Sequence, residues 1–167
     1  MLRARNLPPL GLSLKWSENT MKTVKSLLDE KGYDIWYTTP DATVFEALQY
    51  MAEKDVGALL VLDGNKLVGI FSERDYARKV ILKGKSSKEI PVRDIMTYHV
   101  IHGHPGQTVE QCLELMTEKY VRHLPIMEND QLIGIVSIGD LVKAIIAEQK
   151  RLIARLESYI LQRTSLV

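Results

Sequence analysis

The sequence lacks most of the features that mark secreted, membrane-spanning or nucleic-acid-binding proteins. Its one cysteine, Cys112, excludes an internal disulfide framework and suits a reducing compartment, so we expect a cytoplasmic protein. The 22 lysines and arginines nearly balance 21 aspartates and glutamates, and a net charge of +1 provides no general attraction for DNA, RNA or an anionic membrane surface. No apolar run approaches the roughly 20 residues needed to span a bilayer. What remains is a globular chain of 167 residues, 46% hydrophobic, long enough for one domain or two small ones.

The first 20 residues differ from the rest of the chain. They contain several basic residues but no acidic residue before Glu18. A basic, acid-poor segment is typical of a targeting peptide, whereas an extended tail or an early start codon explains the same composition. We favour the tail, because a much better helix is predicted over residues 21–31.

The chain contains an internal repeat with a spacing of 65 residues. Residues 40–82 align with residues 105–147 without a gap, and 15 of the 43 aligned positions are identical. Many differences are conservative, and the positions that stay in register include Gly69, Ser72 and Asp75, which match Gly134, Ser137 and Asp140. A repeat of this length indicates two copies of one supersecondary unit that bury their apolar faces together.

Each copy predicts the same order of elements, β-α-β-β-α. A short extended segment comes first, and a helix follows whose first hydroxyl residue, Thr43 or Thr108, is a candidate N-cap. Two apolar strands then flank a turn of Asp, Asn, Glu or Gly residues, and a last helix follows Ser72 in the first copy and Ser137 in the second. These strands predict an α/β fold with α+β-type sheets covered by helices, in which the two units pack as a pseudo-twofold pair. The extended segments are Ile35–Thr38, Ala58–Leu62 and Lys66–Ser72 in the first copy, and His99–His102, Leu124–Met127 and Gln131–Ser137 in the second.

These elements divide the chain into five parts. The predicted parts are a tail (1–20), a first unit with an N-terminal helix (21–83), a polar linker that ends in a short helix (84–96), a second unit (97–147) and a helical extension (148–167). The extension continues a helix from Leu141 to about Gln162, and its apolar stripe needs a partner. We therefore expect it to contact a second copy of the chain in a homodimer.

The pattern Ser-x-x-Asp stands at a strand-to-helix junction in both copies. A helix N-terminus offers unpaired N–H groups that suit a phosphate, and a carboxylate accepts hydrogen bonds from a pair of hydroxyl groups such as a ribose diol. This chemistry would place the sugar of a nucleotide on the aspartate and its phosphate beside the serine, with a nearby arginine. The same pattern is also that of a capping box, in which the two side chains only stabilise the helix.

The stretches VGALLVLDGNKLVGIFSERDYARKVI and VRHLPIMENDQLIGIVSIGDLVKAII resemble a pair of cystathionine-β-synthase-type (CBS) domains, the arrangement called a Bateman module. The resemblance covers about Lys22 to Ala147. It implies that AMP, ADP, ATP, S-adenosylmethionine or NAD(H) binds between the units and that the aspartates contact the ribose. It also implies a free-standing regulatory protein whose modules associate in pairs as a flat disc.

Under this resemblance, adenine would lie between apolar strand residues in each of two sites. We expect the base to contact Ile35, Tyr37, Ala58 and Ile70 in one site, and Val100, Leu124, Pro125 and Ile135 in the other. The ribose and phosphate would meet Ser72, Asp75, Ser137 and Asp140. Arg74 aligns with Gly139, and Arg122-His123 align with Gly57-Ala58, so we expect two pockets of unequal phosphate preference.

Other chemistry has weaker support. His99, His102 and His104 could hold a metal ion, but on a strand residue 99 points away from the other two and Pro105 breaks the run, so we expect no metal site. No nucleophile with its base is evident, so we expect neither an enzyme nor a catalytic cofactor. The favoured hypothesis is an adenosine-nucleotide-binding module for energy or redox sensing that regulates an unidentified protein through a change in conformation. The alternatives are a dimeric adaptor with vestigial pockets and a nucleotide-hydrolysing enzyme.

Overall fold

The computed structural model of the protein describes residues 22–164, with side chains described as far as residue 162. The tail expected for residues 1–20 lies outside the described residues. The elements that are described follow the order β-α-β-β-α in the first copy and confirm the predicted fold class. In chain order they are α1 (Val24–Lys31), β1 (Tyr37–Thr38), α2 (Val44–Lys54), β2 (Ala58–Asp63), β3 (Lys66–Ser72), α3 (Glu73–Lys79), 3₁₀ turns at Ile81–Lys83 and Val92–Asp94, α4 (Val109–Lys119), β4 (His123–Glu128), β5 (Gln131–Ser137) and α5 (Ile138–Thr164).

Two β-hairpins with the same register form the centre of the two units. In the first, β2 and β3 are antiparallel with Ala58 opposite Ser72, and in the second, β4 and β5 are antiparallel with His123 opposite Ser137. Each hairpin also shifts its register at the aligned position of its first strand. The predicted hairpins are therefore confirmed, and the sequence repeat is also a structural repeat.

The first strand of each unit is where the copies differ. In the first unit, β1 pairs in parallel with β2 and makes a sheet of order β1-β2-β3. The strand predicted over His99–His102 is wrong, because Val100 N–H donates back to the Tyr98 carbonyl at 3.0 Å and turns the backbone out of an extended path. The segment instead makes one parallel bridge to Ile126, at Gly103.

The predicted N-caps start the central helix of both units. The Thr43 hydroxyl accepts from Glu46 N–H at 3.2 Å, and the Thr108 hydroxyl accepts from Gln111 N–H at 3.1 Å. In each case the third helical residue returns a side-chain oxygen to the threonine N–H, which completes a capping box. Two otherwise unpaired backbone donors are thus satisfied at each helix start.

The two hydrophobic cores do not follow the order of the chain. The first core combines α2 and the β2–β3 hairpin with residues 92–96 of the segment that precedes the second unit. The second core combines α4, the β4–β5 hairpin and the start of α5 with Val24, Leu27 and Leu28 of α1. Each unit is therefore completed by the helical segment that precedes the other unit.

Two aligned glycines make this exchange possible. A Cβ atom on Gly134 of β5 would lie 2.9 Å from Leu28 Cδ2, and a Cβ atom on Gly69 of β3 would lie 2.5 Å from Met96 Sδ. Real carbon contacts are 3.5–4.0 Å at their optimum, so neither site has room for a side chain. Glycine at this point of the strand lets the exchanged segment approach the sheet.

Candidate functional site

Both Ser-x-x-Asp patterns form capping boxes. Asp75 N–H donates to Ser72 Oγ at 3.3 Å, while Ser72 N–H donates to Asp75 Oδ2 at 3.1 Å. In the second copy, Asp140 N–H donates to Ser137 Oγ at 3.2 Å and Ser137 N–H donates to Asp140 Oδ2 at 2.8 Å. The structural role that the pattern allows is therefore present in both copies.

The cap uses only one oxygen of Asp75. Its second oxygen, Oδ1, accepts from Thr97 Oγ1 at 3.3 Å and lies 2.7 Å from Lys79 Nζ. The Lys79 ammonium also donates to the Ile95 carbonyl at 2.7 Å. Oδ1 is thus not needed by the cap and meets donors outside it, from Lys79 at the end of α3 and from Thr97, so capping and ligand binding do not exclude each other at this carboxylate.

A cavity of about 370 Å³ lies between the two units and opens at Asp75. One wall is the end of β3 with α3, and the other comes from residues 97–101 and from the turn between α4 and β4. Its volume lies within the range of small-molecule pockets. The lining residues are Gly57, Ile70, Ser72, Glu73, Arg74, Asp75, Arg78, Lys79, Thr97, His99, Val100, Ile101, Tyr120, Val121, Arg122 and His123.

Positive charge predominates in the lining of this cavity. Arg74, Arg78, Lys79 and Arg122 outnumber the carboxylates, which suits an anionic group such as a phosphate. Arg74 Nη1 also donates to the Tyr120 carbonyl at 3.4 Å and so links the two units across the cavity.

Seven of the predicted site residues line this one cavity, and they come from both of the sites that we expected. The seven are Ile70, Ser72, Arg74, Asp75, Val100, Arg122 and His123. Ile70 and Val100, assigned by sequence to different sites, line it together. Arg74 and Arg122 also share it, so the two cationic differences between the repeats fall in the same cleft.

The remaining predicted residues lie elsewhere. Leu124 has no exposed surface and belongs to the second core, so its side chain does not line this cavity. The reason is that β4 is covered on both faces, and Pro125 beside it is buried as well. Ala58 is also buried, at 5% exposure, whereas Ile35 and Tyr37 lie around β1 and do not line the cavity. Ile135, Ser137 and Asp140 lie at the second strand-to-helix junction, outside the lining of this cavity.

His123 lies where the two units meet. A Cβ atom on Gly57 of the first unit would be 3.8 Å from His123 Cε1, so the imidazole of the second unit lies beside the backbone of the first. Burial lowers the pKa of His123, and the nearby Asp140 carboxylate opposes that effect without overcoming it. The ring is therefore neutral at pH 7 and can pack between the two units.

The second junction carries a lysine from a distant part of the chain. Lys31, the last residue of α1, places Nζ 2.8 Å from Asp140 Oδ2 and 2.8 Å from the Ile135 carbonyl oxygen. Burial acts to raise the pKa of Asp140, but the hydrogen bonds from Lys31 and the Ser137 N–H outweigh it and hold that pKa below its ordinary value. Asp140 is thus a paired carboxylate in the described structure.

Sequence reasoning missed several lining residues. Lys79 follows Asp75 by four residues, a helical spacing that could have indicated their ion pair. Thr97 and His99 come from the start of the second unit, and no local pattern connects them with Ser72. Tyr120 ends α4 in the left-handed region at a φ of 55°, and its side chain is 82% exposed at the cavity.

Metal and membrane features are absent from the described part of the chain. Among residues 22–162 no group of three or more His, Cys, Asp or Glu side chains is placed to hold a metal ion. His99 lines the cavity but belongs to no group of this kind. Of the helices in the described chain, none is long and apolar enough to cross a membrane.

Comparison with known proteins identifies the fold family. The model of the CBS domain matches this chain twice, over residues 24–81 and 92–147. The CBS domain-containing protein CBSX3, mitochondrial, of Arabidopsis thaliana is 37% identical over 168 aligned residues, which cover 95% of this chain and 80% of that protein. The chain therefore belongs to the CBS-domain family, and its two units form a CBS domain pair, a regulatory module.

Solved structures agree with this assignment. A CBS-domain protein from Burkholderia ambifaria MC40-6 is 48% identical, with a TM-score of 0.75 over 77% of this chain and 96% of that chain. The CBS domain pair of MJ0100, solved in complex with 5′-methylthioadenosine and S-adenosyl-L-methionine, is 22% identical with a TM-score of 0.68, over 77% of this chain and 98% of that chain. At that identity the second comparison supports the fold alone.

Proposed function

We propose that this CBS pair binds an adenosine nucleotide in the cavity between its units and acts as a sensor of that nucleotide. The observation that carries the proposal is the combination of the Asp75 carboxylate, whose Oδ1 is not used by the helix cap, with a predominance of arginine and lysine around one cavity of about 370 Å³. A carboxylate beside a cationic rim matches a ligand with a diol at one end and phosphate at the other.

The parts of the nucleotide divide among these groups by their chemistry. The ribose diol donates to Asp75 Oδ1, where Thr97 and Lys79 donate in the described structure. The phosphates lie toward Arg74 and Arg122, because a carboxylate would repel them. The base lies on the apolar side chains of Ile70 and Val100. The ligands named for MJ0100, which shares this fold, also contain adenosine.

A bound nucleotide would change how the two units are arranged. Its ribose would be held by Asp75 of the first unit and its phosphate by Arg122 of the second, so the ligand favours the arrangement in which both contacts form. A ligand shifts such an equilibrium only by its difference in affinity for the two states. The Arg74 guanidinium, which contacts the Tyr120 carbonyl at 3.4 Å, is the link that a phosphate would compete for.

The experiment is a calorimetric titration of the full chain with AMP, ATP, NADH and S-adenosylmethionine. Asp75→Asn keeps an oxygen for the α3 cap but loses the negative charge, and we expect it to weaken binding about tenfold or more, the effect of one charge-assisted hydrogen bond. The matched control is Thr43→Ala, which removes the cap of another helix and lies outside the cavity lining. Equal losses in the two variants would refute the ribose assignment.

The same titration distinguishes the competing functions. No heat of binding with any of the four ligands would favour a structural adaptor, and steady turnover of ATP or NADH would favour an enzyme. Preference for AMP or ATP over NADH would define an energy sensor, and the reverse would define a redox sensor. We expect binding without turnover, because the cavity lining offers Glu73 and Asp75 as its only carboxylates, and Asp75 is paired with Lys79.

The pair acts as a homodimer in this proposal. The helix α5 runs for 27 residues, and only its first turns pack in the second core. Ile153 and Leu156, farther along, are each 54% exposed, an apolar surface that a second copy of the same helix would cover. Sedimentation should show a dimer that Ile153→Glu disrupts, whereas the control Lys150→Glu on the same helix leaves it intact. A monomeric wild-type chain would refute the dimer.

A further inference from the structure

The ammonium group of Lys31 lies where a nucleoside would be recognised at the second junction. It donates to Asp140 Oδ2 at 2.8 Å and to the Ile135 carbonyl at 2.8 Å. Asp140 aligns with Asp75, the carboxylate that faces the cavity in the first unit, and Ile135 aligns with Ile70 in its lining. One lysine therefore contacts a carboxylate, at the oxygen that also caps α5, and a backbone acceptor, two groups that a ribose hydroxyl and a base would otherwise contact.

The position of Lys31 is fixed by the packing of α1 on the second unit. Leu28, one turn earlier, is fully buried against Gly134. At the other end of the helix, Val24 N–H donates to the Gln107 carbonyl at 2.9 Å. The helix ends at Gly32, whose φ of 100° suits glycine. Lys31 is therefore held at Asp140 by a docked helix.

The first unit pairs its aspartate with a lysine from a different element. With the shift of 65 residues, Lys31-Gly32 aligns with Met96-Thr97. There the Ile70 carbonyl accepts from the Thr97 backbone N–H at 2.8 Å, and the Thr97 hydroxyl reaches Asp75. The lysine at Asp75 is Lys79, which comes from the same helix and lines the open cavity. The position of Lys79 corresponds to Ala144 in the second copy, so the second unit takes its cation from another element.

We propose that Lys31 substitutes for a ligand in the second cleft. The chain then binds one nucleotide at Asp75, while the Asp140 site stays blocked until α1 moves. The proposal rests on the proposed nucleotide binding and names which cleft performs it. The reason is competition: the Lys31 ammonium and a ribose diol both need the Asp140 carboxylate as acceptor. Lys31 is held there by the docked helix α1, whereas Lys79 at Asp75 lies in the lining of the open cavity. A nucleoside with a free 2′,3′-diol therefore has to displace Lys31 to bind at Asp140.

The test is the number of AMP or ATP molecules bound per chain, measured by calorimetry on the full chain. The wild-type chain should bind one, and binding should survive Asp140→Asn but weaken in Asp75→Asn. Lys31→Met keeps the length of the side chain but removes its donors, and it should add a second binding event. That event should disappear in the double variant Lys31→Met/Asp140→Asn, since it depends on the released carboxylate. The control is Lys25→Met, an exposed lysine on the same helix, which should still bind one.

The outcomes separate this inference from the proposed function. A wild-type chain that binds two molecules, with one lost in Asp140→Asn, would overturn the role of Lys31 and leave nucleotide binding intact. A wild-type chain that binds none, together with a Lys31→Met variant that binds one through Asp140, would support Lys31 and refute binding at Asp75. Absence of the second event in a Lys31→Met variant that unfolds cooperatively like wild type would overturn the inference, and Lys31→Arg should behave as wild type.

Discussion

The contact between Leu28 and Gly134 offers a direct test of the exchanged packing. A methyl group on Gly134 would lie 2.9 Å from Leu28 Cδ2, 3.0 Å from Cδ1 and 3.5 Å from Cγ. All three atoms belong to one branched end, so rotating a single methyl group away does not relieve the overlap. Leu28 is fully buried, and backbone hydrogen bonds hold α1 in place, so the helix cannot easily withdraw.

The expected free energies follow from this geometry. Gly134→Ala should lower the free energy of unfolding by about 1–3 kcal/mol, the usual effect of overpacking a core. Leu28→Ala should lower it by about 3 kcal/mol, because it removes a buried side chain and leaves a cavity. In the double variant the new methyl group occupies part of that cavity. Its loss should therefore be smaller than the sum of the two single losses by about 1 kcal/mol or more.

Urea unfolding followed by far-UV circular dichroism measures these quantities through the transition midpoint and the m-value. If the m-values are unchanged, the midpoints of the variants can be compared directly as differences in stability. A changed m-value would instead report a different unfolded or native state. Two results would refute the reasoning. One is a Gly134→Ala variant as stable as wild type, and the other is a double variant whose loss equals the sum of the single losses, which would mean that the two residues are not in contact.

Three other predictions concern stability and reactivity. Because burial lowers the pKa of His123 below its ordinary value of 6.5, the unfolded chain takes up the proton first, and stability should fall as the pH drops below 6.5; His123→Gln should flatten this part of a pH series of urea transitions. Burial raises the pKa of Cys112 to about 11, so iodoacetamide at about pH 8 should label the thiol only in denaturant, and rapid labelling of the native chain would contradict its burial. Thr43→Ala and Thr108→Ala should each lower the free energy of unfolding by about 1 kcal/mol, and the two losses should add because the caps belong to different units. Unchanged stability in either variant would mean that its cap contributes little.

Local patterns in the sequence were enough to predict the elements of each unit. The alternation of apolar strands with a turn gave both hairpins, and hydroxyl residues gave the N-caps at Thr43 and Thr108. The repeat itself supplied a second, independent copy of every signal. The exception is the segment His99–His102, where the hydrogen bond from Val100 N–H to the Tyr98 carbonyl turns the backbone, and the pairing with β4 is confined to Gly103.

Relations between distant parts of the chain were not predictable in the same way. Nothing near Lys31 indicates that its ammonium meets Asp140, because their contact depends on how α1 crosses to the other unit. The sequence also assigned Arg74 and Arg122 to different pockets, whereas they line one cavity. Such contacts arise from the pseudo-twofold packing, in which the segment that precedes one unit packs in the core of the other. The periodicity of a single segment does not contain that information.

The exchanged cores also bear on how the chain can be synthesised and divided. The helix α1 leaves the ribosome long before residues 109–144, which form the core that it completes. The first hairpin likewise waits for residues 92–96. The first core needs the chain only as far as residue 96, whereas the second core needs α1 from before the first unit, so the two halves are interlocked as one folding unit. A cut between them would leave the Gly134 strand without its helix and α1 without its sheet, even though the repeat in the sequence suggests two separable modules.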